Sequence, residues 1–346
     1  MKAAYYYGPG LLRVEDVERP LVAEGELLLR VKAAAICGTD LRIFKHGHFK
    51  IPPDQRRVLG HEIAGEVVEA GRLAQGFRVG MRVTVTPNVG CGLCEHCREG
   101  FNNMCQNYEA FGISIDGAFQ EYLKVPAVAV GGRNVFLIPE EVSYEEAALT
   151  EPLSCCYNGL RSVSTTQADT VLVIGAGPIG CMHVMLSRVA GVKRILAADI
   201  RSDRLEKIAG FGADVTIDLS VADLAEAVMA DTRGRGVDVI IATVAVADVL
   251  TQSLEVLATH GRVNFFAGFG KGSMVPIDVN RLHYRGLRIV GTTGSSNVDY
   301  FKCMGLVAER RVNLRPLVSR TFPLADINAA FEYAGSGRGL KTMVQG

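Results

Sequence analysis

The sequence has no excess of charge of either sign and no long apolar run, and both absences narrow its function. Lys and Arg together number 37, Asp and Glu also number 37, and the formal net charge is zero. This balance argues against nucleic acid or an anionic membrane as the main partner. No stretch of about 18 uninterrupted apolar residues occurs, and the opening MKAAYYYGPG lacks the apolar segment of an export signal. We therefore expect a cytoplasmic protein with a small-molecule substrate.

Low-complexity tracts and repeats of about 20–50 residues are also lacking, so the chain is not a repeat array. A length of 346 residues exceeds what one hydrophobic core usually serves, and this predicts two domains. A hydrophobic content of 48% with 38 glycines is typical of a compact, loop-rich α/β protein. Nine cysteines without an export signal are consistent with a reducing cytosol.

Four of these cysteines lie close together, in the run CGLCEHCREGFNNMC. The spacing C-x2-C-x2-C-x7-C lets the thiolates of Cys91, Cys94, Cys97 and Cys105 converge on one tetrahedral metal, and zinc prefers this geometry. Disulfides are the alternative, but cysteines three apart in one loop are awkward partners. The run predicts a closed structural zinc site, with no open position for chemistry.

The pattern of apolar residues, and the secondary structure that it predicts, changes twice along the chain. The first 150 residues predict a β-rich, barrel-like sheet, because ELLLRVKAAAI, EIAGEVVEAG and RVTVTP alternate or run apolar between Gly and Pro. From Thr170 strands alternate with helices: TVLVI, a helix from Pro178 to about Ala190, RILAAD and a helix through 204–211. The tail from about Gly291 is mixed. An inserted doubly wound domain within a β-rich domain is the most economical layout.

A glycine motif opens the first of these helices. Gly175, Gly177 and Gly180 follow a buried strand in the order that allows a tight turn, a close approach of backbone to pyrophosphate, and close helix packing. The N–H groups of the helix then face the phosphates. Asp199 ends the next strand, where a carboxylate accepts the ribose hydroxyls of NAD and repels a 2′-phosphate. An ordinary strand-end Asp is the alternative, and Arg201 or Arg204 could instead hold a phosphate.

Several further stretches resemble one family, the zinc-dependent medium-chain dehydrogenases, which include alcohol, polyol and threonine dehydrogenases. They are CGTD at 37–40, GHE at 60–62, the cysteine lobe at 91–105, FGISIDGAFQEY at 111–122, EPLSC at 151–155 and GAGPIG at 175–180. The resemblance covers essentially the whole chain. It implies an α/β fold with a GroES-like β-rich catalytic domain at 1–151, carrying the zinc lobe at 88–107. It also implies an inserted Rossmann NAD-binding domain at 152–290 and a return to the catalytic domain at 291–346.

The resemblance also implies a second, catalytic zinc. Its ligands would be Cys37, His61 and Glu62, with Glu151 either a further ligand or a carboxylate that holds zinc-bound water. Three protein ligands leave one position open for water or a substrate oxygen. Thr39 lies where the family's hydroxyl passes the alcohol proton to the cofactor ribose, although it could equally be a turn residue before the next helix.

For the cofactor, the family pattern adds further contacts to the three glycines of the motif and Asp199. The expected contacts are Gly175, Gly177, Pro178, Ile179, Gly180, Asp199, Arg204, Thr243, Phe266, Gly268, Thr292 and Thr293. One departure from the family concerns the proton relay. Many relatives have a histidine five positions after the ligand cysteine, whereas this chain has Arg42 there; His46 or His48 could substitute, or both could be solvated loop residues.

The resemblance therefore predicts a zinc-dependent oxidoreductase that transfers hydride between NAD and a secondary alcohol or its ketone. The C-terminal segment of the chain resembles that of polyol dehydrogenases, which favours a polyol, sugar alcohol or cyclitol as the substrate. Against sorbitol itself, TTGSSN at 292–297 replaces the Arg-Tyr pair of animal sorbitol dehydrogenases. L-threonine and a sugar phosphate are alternatives, the latter because Lys45, Lys50, Arg56 and Arg57 make one segment basic. A non-catalytic nucleotide-binding relative is a remote alternative. Family members of this size suggest a homo-oligomer, a dimer or a tetramer.

Overall fold

The computed structural model describes residues 1–74, 76–270 and 272–346, and these fall into two compact units. Unit 1 consists of Met1–Ser154 and Gly294–Gly346, and unit 2 consists of Cys155–Thr293. Within the described ranges, no helix combines the length and the apolar character needed to cross a membrane.

The N-terminal part of unit 1 is built mainly from short strands. The strands are β1 (Lys2–Gly8), β2 (Leu11–Asp16), β3 (Leu27–Ala35), β4 (Arg57–Val58), β5 (Glu62–Ala70), β6 (Arg82–Val85), β7 (Asn88–Val89), β8 (Glu109–Ala110), β9 (Tyr122–Val125) and β10 (Val135–Leu137). The helices are α1 (Gly38–His46), α2 (Glu95–Arg98), α3 (Ala127–Gly131) and α4 (Tyr144–Ser162), the last of which continues into unit 2.

Unit 2 alternates strands and helices. Its strands are β11 (Thr170–Ile174), β12 (Arg194–Asp199), β13 (Val215–Asp218), β14 (Val237–Ala242), β15 (Leu257–Phe265) and β16 (Arg288–Gly291). Its helices are α5 (Pro178–Val189), α6 (Ser202–Gly210), α7 (Leu224–Asp231), α8 (Ala247–Ser253) and α9 (Val279–Arg285).

The strands of unit 2 form one parallel sheet in the order β13-β12-β11-β14-β15-β16. Numbered from the start of the unit, this is the 3-2-1-4-5-6 order of the Rossmann fold. Every residue of β11 is buried, as expected for a central parallel strand covered on both faces. The switch in strand order lies between β11 and β14, so the loop after β11 opens at the edge where such folds bind nucleotides.

The C-terminal segment returns to unit 1. It contains α10 (Asn297–Ala308), β17 (Val318–Pro323), α11 (Ile327–Ser336) and β18 (Lys341–Gln345). Strand β18 pairs antiparallel with β3 and parallel with β17, which completes a sheet in the order β10-β6-β5-β3-β18-β17, with β9 also paired to β3.

Register in this sheet brings distant parts of the chain to one place. Ala35, the last residue of β3, pairs with Glu62 on one side and with Met343 on the other. The end of β3, the start of β5 and the start of β18 therefore lie side by side. Cys37 follows β3 by two residues and Lys341 opens β18, so both lie at this end of the sheet.

Candidate metal centres and nucleotide site

Helix α1 is fixed at its start by a buried aspartate. Asp40 is fully buried, and its Oδ2 accepts a hydrogen bond from the Cys37 backbone N–H at 2.9 Å. Its Oδ1 accepts one from the Gly60 N–H at 3.1 Å and lies 3.3 Å from Nδ1 of His61. One carboxylate therefore holds the segments that carry Cys37 and His61, an arrangement typical of residues behind a metal ligand.

The predicted ligands Cys37, His61 and Glu62 come together. One potential ligand atom from each lies within 4.8 Å of the others, and His61 and Glu62 are buried. Burial alone lowers the pKa of His61, but the Asp40 carboxylate and the Cys37 sulfur outweigh it and hold that pKa well above its usual value. A thiolate, an imidazole and a carboxylate at this spacing form a donor set that suits zinc, whose charge would replace the extra proton.

Glu62 also has a cationic partner. Lys341 donates to both oxygens of the Glu62 carboxylate, to Oε2 at 2.6 Å, and its Nζ also lies 3.5 Å from the Ile36 carbonyl. Lys341 is 3% exposed and Glu62 is fully buried. Burial alone lowers the pKa of Lys341, but Glu62 and Cys37 raise it above its usual value, so Lys341 is protonated.

Glu151 and Thr39 lie near this cluster but outside it. Glu151 is 6% exposed in α4, and its charge contributes to the raised pKa of Lys341, but it is not among the three converging ligands. Thr39 lies in the first turn of α1 and is partly exposed. It is therefore a helical residue, and Cys37 rather than Thr39 precedes the helix.

The side chains considered for a proton relay are all on or just after α1. Arg42 and His46 are exposed, and His48 is partly buried, with Nδ1 accepting a hydrogen bond from the Lys50 N–H at 3.2 Å. Burial and the charges of Arg42 and Lys50 lower the pKa of His48. His48 is therefore neutral at neutral pH.

Most of the basic side chains that follow α1 are paired with, or donate hydrogen bonds to, other residues of unit 1. Arg56 pairs with Glu15 at 2.8 Å, and Arg57 pairs with Asp116 at 2.9 Å. Lys50 donates to the Tyr108 carbonyl at 2.5 Å and lies 4.0 Å from the centre of the Tyr108 ring. These contacts neutralise or occupy three of the four cations on which the sugar-phosphate alternative depends.

The four cysteines of the lobe also converge. Cys91, Cys94, Cys97 and Cys105 each place a sulfur within 4.8 Å of the others, and none of these four cysteines is in a disulfide. The disulfide alternative is therefore wrong for this structure. The strand pair β7–β8 closes the base of the lobe, and Asn102 ties it to α10 by accepting a hydrogen bond from the Asn297 N–H at 2.9 Å.

In unit 2 the loop after β11 has the shape that a pyrophosphate requires. Gly175 has φ +103°, which side-chain-bearing residues rarely adopt, and a Cβ on Gly180 would lie 1.9 Å from the Gly175 carbonyl oxygen. Helix α5 follows, with Gly177 before its first turn and Pro178 and Ile179 inside it. Its free N–H groups and positive dipole end thus lie at a loop into which a phosphate can come close.

Asp199 lies at the end of β12, next to that loop. Its Oδ2 accepts a hydrogen bond from the Ala176 N–H at 2.6 Å, and its Oδ1 accepts one from the Arg201 N–H at 3.0 Å. Each carboxylate oxygen retains capacity for a second donor, such as a ribose hydroxyl. Nη1 of Arg204 lies 3.9 Å from the position of a Cβ on Gly177, so its guanidinium is beside the glycine loop.

The remaining predicted cofactor contacts follow the next strands of the sheet. Thr243 comes directly after β14 and donates to the Ile174 carbonyl at 2.8 Å, next to Gly175. Phe266 and Gly268 follow β15, and Thr292 and Thr293 follow β16. All five therefore lie beyond carboxyl ends of parallel strands, the edge at which doubly wound folds bind ligands.

Sequence reasoning missed two residues of unit 1, Asp40 and Lys341. Asp40 lies inside the CGTD run, in which the family resemblance assigns roles to Cys37 and Thr39 only. Lys341 is the one charged residue of the strand KTMVQ, and a lysine in a strand of otherwise uncharged residues is a signal for a buried partner. That signal does not name the partner.

Comparison with known proteins agrees with this architecture. Residues 23–134 match the family described as the alcohol dehydrogenase GroES-like domain, and residues 178–309 match the family described as zinc-binding dehydrogenase. The L-threonine 3-dehydrogenase of Pyrococcus abyssi is 34% identical over 344 residues, which is 98% of this chain and 95% of that protein. The chain belongs to the zinc-dependent medium-chain dehydrogenases, as predicted.

Solved structures extend the likeness over the whole chain. A protein of Sinorhizobium meliloti 1021 described as a zinc-binding dehydrogenase, solved bound to NADP, superposes with a TM-score of 0.92 at 30% identity and covers 100% of this chain and 99% of its own. The 2R,3R-butanediol dehydrogenase of Bacillus subtilis gives a TM-score of 0.90 at 28% identity, covering 100% and 99%. The predicted fold class, a GroES-like part with a Rossmann part, is confirmed.

Proposed function

We propose that this protein is a zinc-dependent dehydrogenase that transfers hydride between NAD and a secondary alcohol or its ketone. The observation that carries the proposal is the convergence of Cys37, His61 and Glu62 to within 4.8 Å, with Asp40 behind His61. A metal centre of this kind in a chain with a Rossmann unit supports alcohol oxidation over nucleotide binding alone.

In this proposal Cys37, His61 and Glu62 hold the catalytic zinc, and the four cysteines of the lobe hold a structural one. When bound, zinc supplies a Lewis acid for the substrate oxygen, and the nicotinamide supplies the hydride acceptor. Asp40 fixes the ring of His61, and Lys341 balances the buried charge of Glu62. Glu151, buried in α4, serves as a further ligand or as an acceptor for water at the metal.

Thr39 is the residue that moves a proton. Its position in the first turn of α1, two residues after Cys37, supports a role in which the hydroxyl takes the proton from the substrate oxygen and donates its own onward to the ribose. Because Arg42 cannot give up its proton at ordinary pH, the final acceptor is solvent or a neutral histidine such as His48.

Unit 2 binds the nucleotide through the residues that follow its strands. The glycine loop and the start of α5 hold the pyrophosphate, Asp199 and Arg204 hold the adenosine ribose, and Thr243, Phe266, Gly268, Thr292 and Thr293 line the remainder. Asp199 supports NAD as the cofactor, since a 2′-phosphate would meet its carboxylate at close range. The Sinorhizobium relative was solved with NADP, so membership of the family does not by itself imply NAD. The preference for NAD is therefore proposed from Asp199 of this chain.

For the substrate, we propose a polyol, sugar alcohol or cyclitol. The vicinal diol named for the Bacillus subtilis relative has the same feature, a secondary alcohol next to a second polar group. L-threonine, which also carries a polar group beside its secondary alcohol, is the second candidate. It is supported by 34% identity to a threonine 3-dehydrogenase over 98% of the chain.

The test is turnover of the zinc-loaded protein with NAD on a matched panel. The panel comprises polyols and cyclitols, the same polyols as phosphates, L-threonine with its allo isomer, and simple secondary alcohols. We expect kcat/KM to be highest for an unphosphorylated polyol or cyclitol. A preference for L-threonine would select the second candidate, and absence of NAD reduction with every alcohol would contradict the function.

Thr39→Val supplies a matched variant, because valine keeps the shape of threonine and removes the hydroxyl. Loss of a positioned proton-transfer group lowers kcat by about a hundredfold or more. Zinc content and NAD affinity should stay unchanged. Full turnover by Thr39→Val would remove Thr39 from the mechanism.

A further inference from the structure

An ion pair on unit 2 lies directly beside the aspartate that faces the ribose. Arg201 donates to Asp203 through two nitrogens, Nε to Oδ1 at 2.9 Å and Nη2 to Oδ2 at 2.8 Å. The backbone N–H of the same Arg201 donates to Asp199 at 3.0 Å. The arginine that could anchor a 2′-phosphate is thus held in a two-pronged contact with a neighbouring carboxylate.

The pairing of Arg201 with Asp203 affects the net charge beside the proposed position of the ribose. With Arg201 paired to Asp203, those two charges cancel, and Asp199 and Arg204 remain as the charges beside the proposed position of the ribose. Were Asp203 neutral, Arg201 would offset Asp199 and present five donors to an incoming phosphate. The side-chain pair is partly exposed, 34% for Arg201 and 49% for Asp203, so the guanidinium can reorient without breaking the core.

We propose that Asp203 is a specificity-determining residue that disfavours NADP by neutralising and holding Arg201. The inference rests on the proposed nucleotide site and extends it, since Asp199 alone repels the phosphate whereas Asp203 removes the group that would attract it. Asp203 acts through Arg201 and touches no reacting atom, so it is a positioning residue.

Asp203 has a structural role that the test must separate from this one. It lies in the first turn of α6, where a negative charge is favourable at the helix N-terminus. Its loss therefore weakens α6 slightly whatever the nucleotide. Such an effect changes the affinity for both cofactors alike, whereas the proposed effect changes only the affinity for the 2′-phosphate.

The experiment is calorimetric titration of the metal-loaded protein with adenosine 2′,5′-bisphosphate and with adenosine 5′-phosphate, which lack the nicotinamide and need no turnover. We expect Asp203→Asn to tighten binding of the bisphosphate about three- to fivefold, the upper part of the range for an exposed charge pair, and to leave the monophosphate within about twofold. The NADP-to-NAD ratio of kcat/KM should rise by a similar factor.

Two further variants make the test specific. In the double variant Asp203→Asn with Arg201→Gln, the gain should disappear, because the proposed anchor is gone. Asp231→Asn removes the carboxylate of another two-pronged pair in unit 2, with Arg194, and makes the same change in net charge. It should leave the ratio of the two affinities unchanged.

The outcomes separate the two proposals. Equal effects of Asp203→Asn on both ligands, or the same shift in Asp231→Asn, would overturn the role of Asp203 while the nucleotide site stands. Failure of the unaltered protein to bind either ligand would overturn the nucleotide site and with it this inference. A gain that persists without Arg201 would also overturn it.

Discussion

Lys341 and Glu62 are 279 positions apart in the chain, yet the first donates to both carboxylate oxygens of the second in the core of unit 1. A buried carboxylate needs a compensating charge, because desolvation of an ion costs several kcal/mol. Lysine supplies this charge when no metal is bound, and a zinc ion would share the task. The pair therefore stabilises the cluster in both metal states, but not equally.

Lys341→Met tests how Lys341 and a bound zinc ion share the compensation of the Glu62 charge. Without metal, the variant leaves Glu62 buried and unpaired, and we expect the free energy of unfolding to fall by about 3–5 kcal/mol. With zinc bound, the loss should be smaller, because the metal offsets the carboxylate. Urea unfolding with and without chelator measures both, with Lys341→Met combined with Glu62→Gln as the control that removes the charge. An equal loss in the two metal states would contradict the account.

His183 is a buried histidine without a chemical role in the proposal. It is fully buried in α5, its ring lies 4.9 Å from that of Phe266 in an edge-on contact, and neither ring nitrogen has a hydrogen-bond partner among the described residues. Burial lowers the pKa of His183 to about 3. The unfolded chain therefore binds a proton at this residue below about pH 6.5, whereas the folded chain does not.

The depressed pKa of His183 makes the folded protein less stable as the pH falls. Above about pH 6.5 His183 is neutral in both states, and below it the unfolded state gains a proton, which costs up to about 1.4 kcal/mol of stability per pH unit. We expect His183→Leu to be at least as stable at pH 7 and to lose less stability between pH 7 and pH 5. Urea unfolding at both pH values tests this, with exposed His46→Gln as the control. A slope unchanged in His183→Leu would contradict the prediction.

Among the elements, the cysteine lobe has the least core of its own. Helix α2 and the 3₁₀ turn Asn102–Met104 bury no residue, and β7 and β8 are two residues long. Elements this short do not fold unaided, and in our proposal a zinc ion bound by the four cysteines contributes the folding energy. The lobe is a structural element by this reasoning, and its effect on catalysis is indirect.

Cys97→Ser tests the role of the lobe. We expect the loss of about one zinc per chain and early proteolysis within the lobe, with turnover falling as a consequence. Leu93→Ser is the matched control, because Leu93 lies in the same loop, is 74% exposed and offers no sulfur. Metal analysis and limited proteolysis of the two variants distinguish Cys97→Ser from Leu93→Ser. If Cys97→Ser kept both its metal and its resistance to protease but lost activity, the structural role would be refuted.

The elements that could be predicted from sequence are those whose signal is local. The strands TVLVI and RILAAD and the helix after the glycine motif lie where their apolar runs and glycines indicated, and β11 and β12 have the bounds Thr170–Ile174 and Arg194–Asp199. Helix α6 begins at Ser202, ahead of the expected Arg204, because polar Ser202 and Asp203 form its first turn and carry no apolar signal. Partners far apart in sequence, such as Lys341 with Glu62, depend on strand register, which no local pattern specifies.

The whole molecule combines, in our proposal, a metal site in unit 1 with a nucleotide-binding sheet in unit 2. The cluster residues could be anticipated because the family resemblance assigns them, and the glycine motif because its spacing after a buried strand is itself a signal. Asp40, Lys341 and the pairing of Arg201 with Asp203 could not, since each depends on which neighbours the fold supplies. In our proposals these neighbours affect how firmly the metal ligands are held and which nucleotide is preferred.

The most direct test of the central claim is the rate of NAD-dependent alcohol oxidation during stepwise return of zinc to the chelated protein. The account predicts that activity is lost with the metal and returns only with zinc at the Cys37, His61 and Glu62 site, reaching its plateau at about two zincs per chain. Cys37→Ala, with its structural site loaded, should stay inactive throughout. Full turnover by the metal-free protein, or by Cys37→Ala, would contradict the claim.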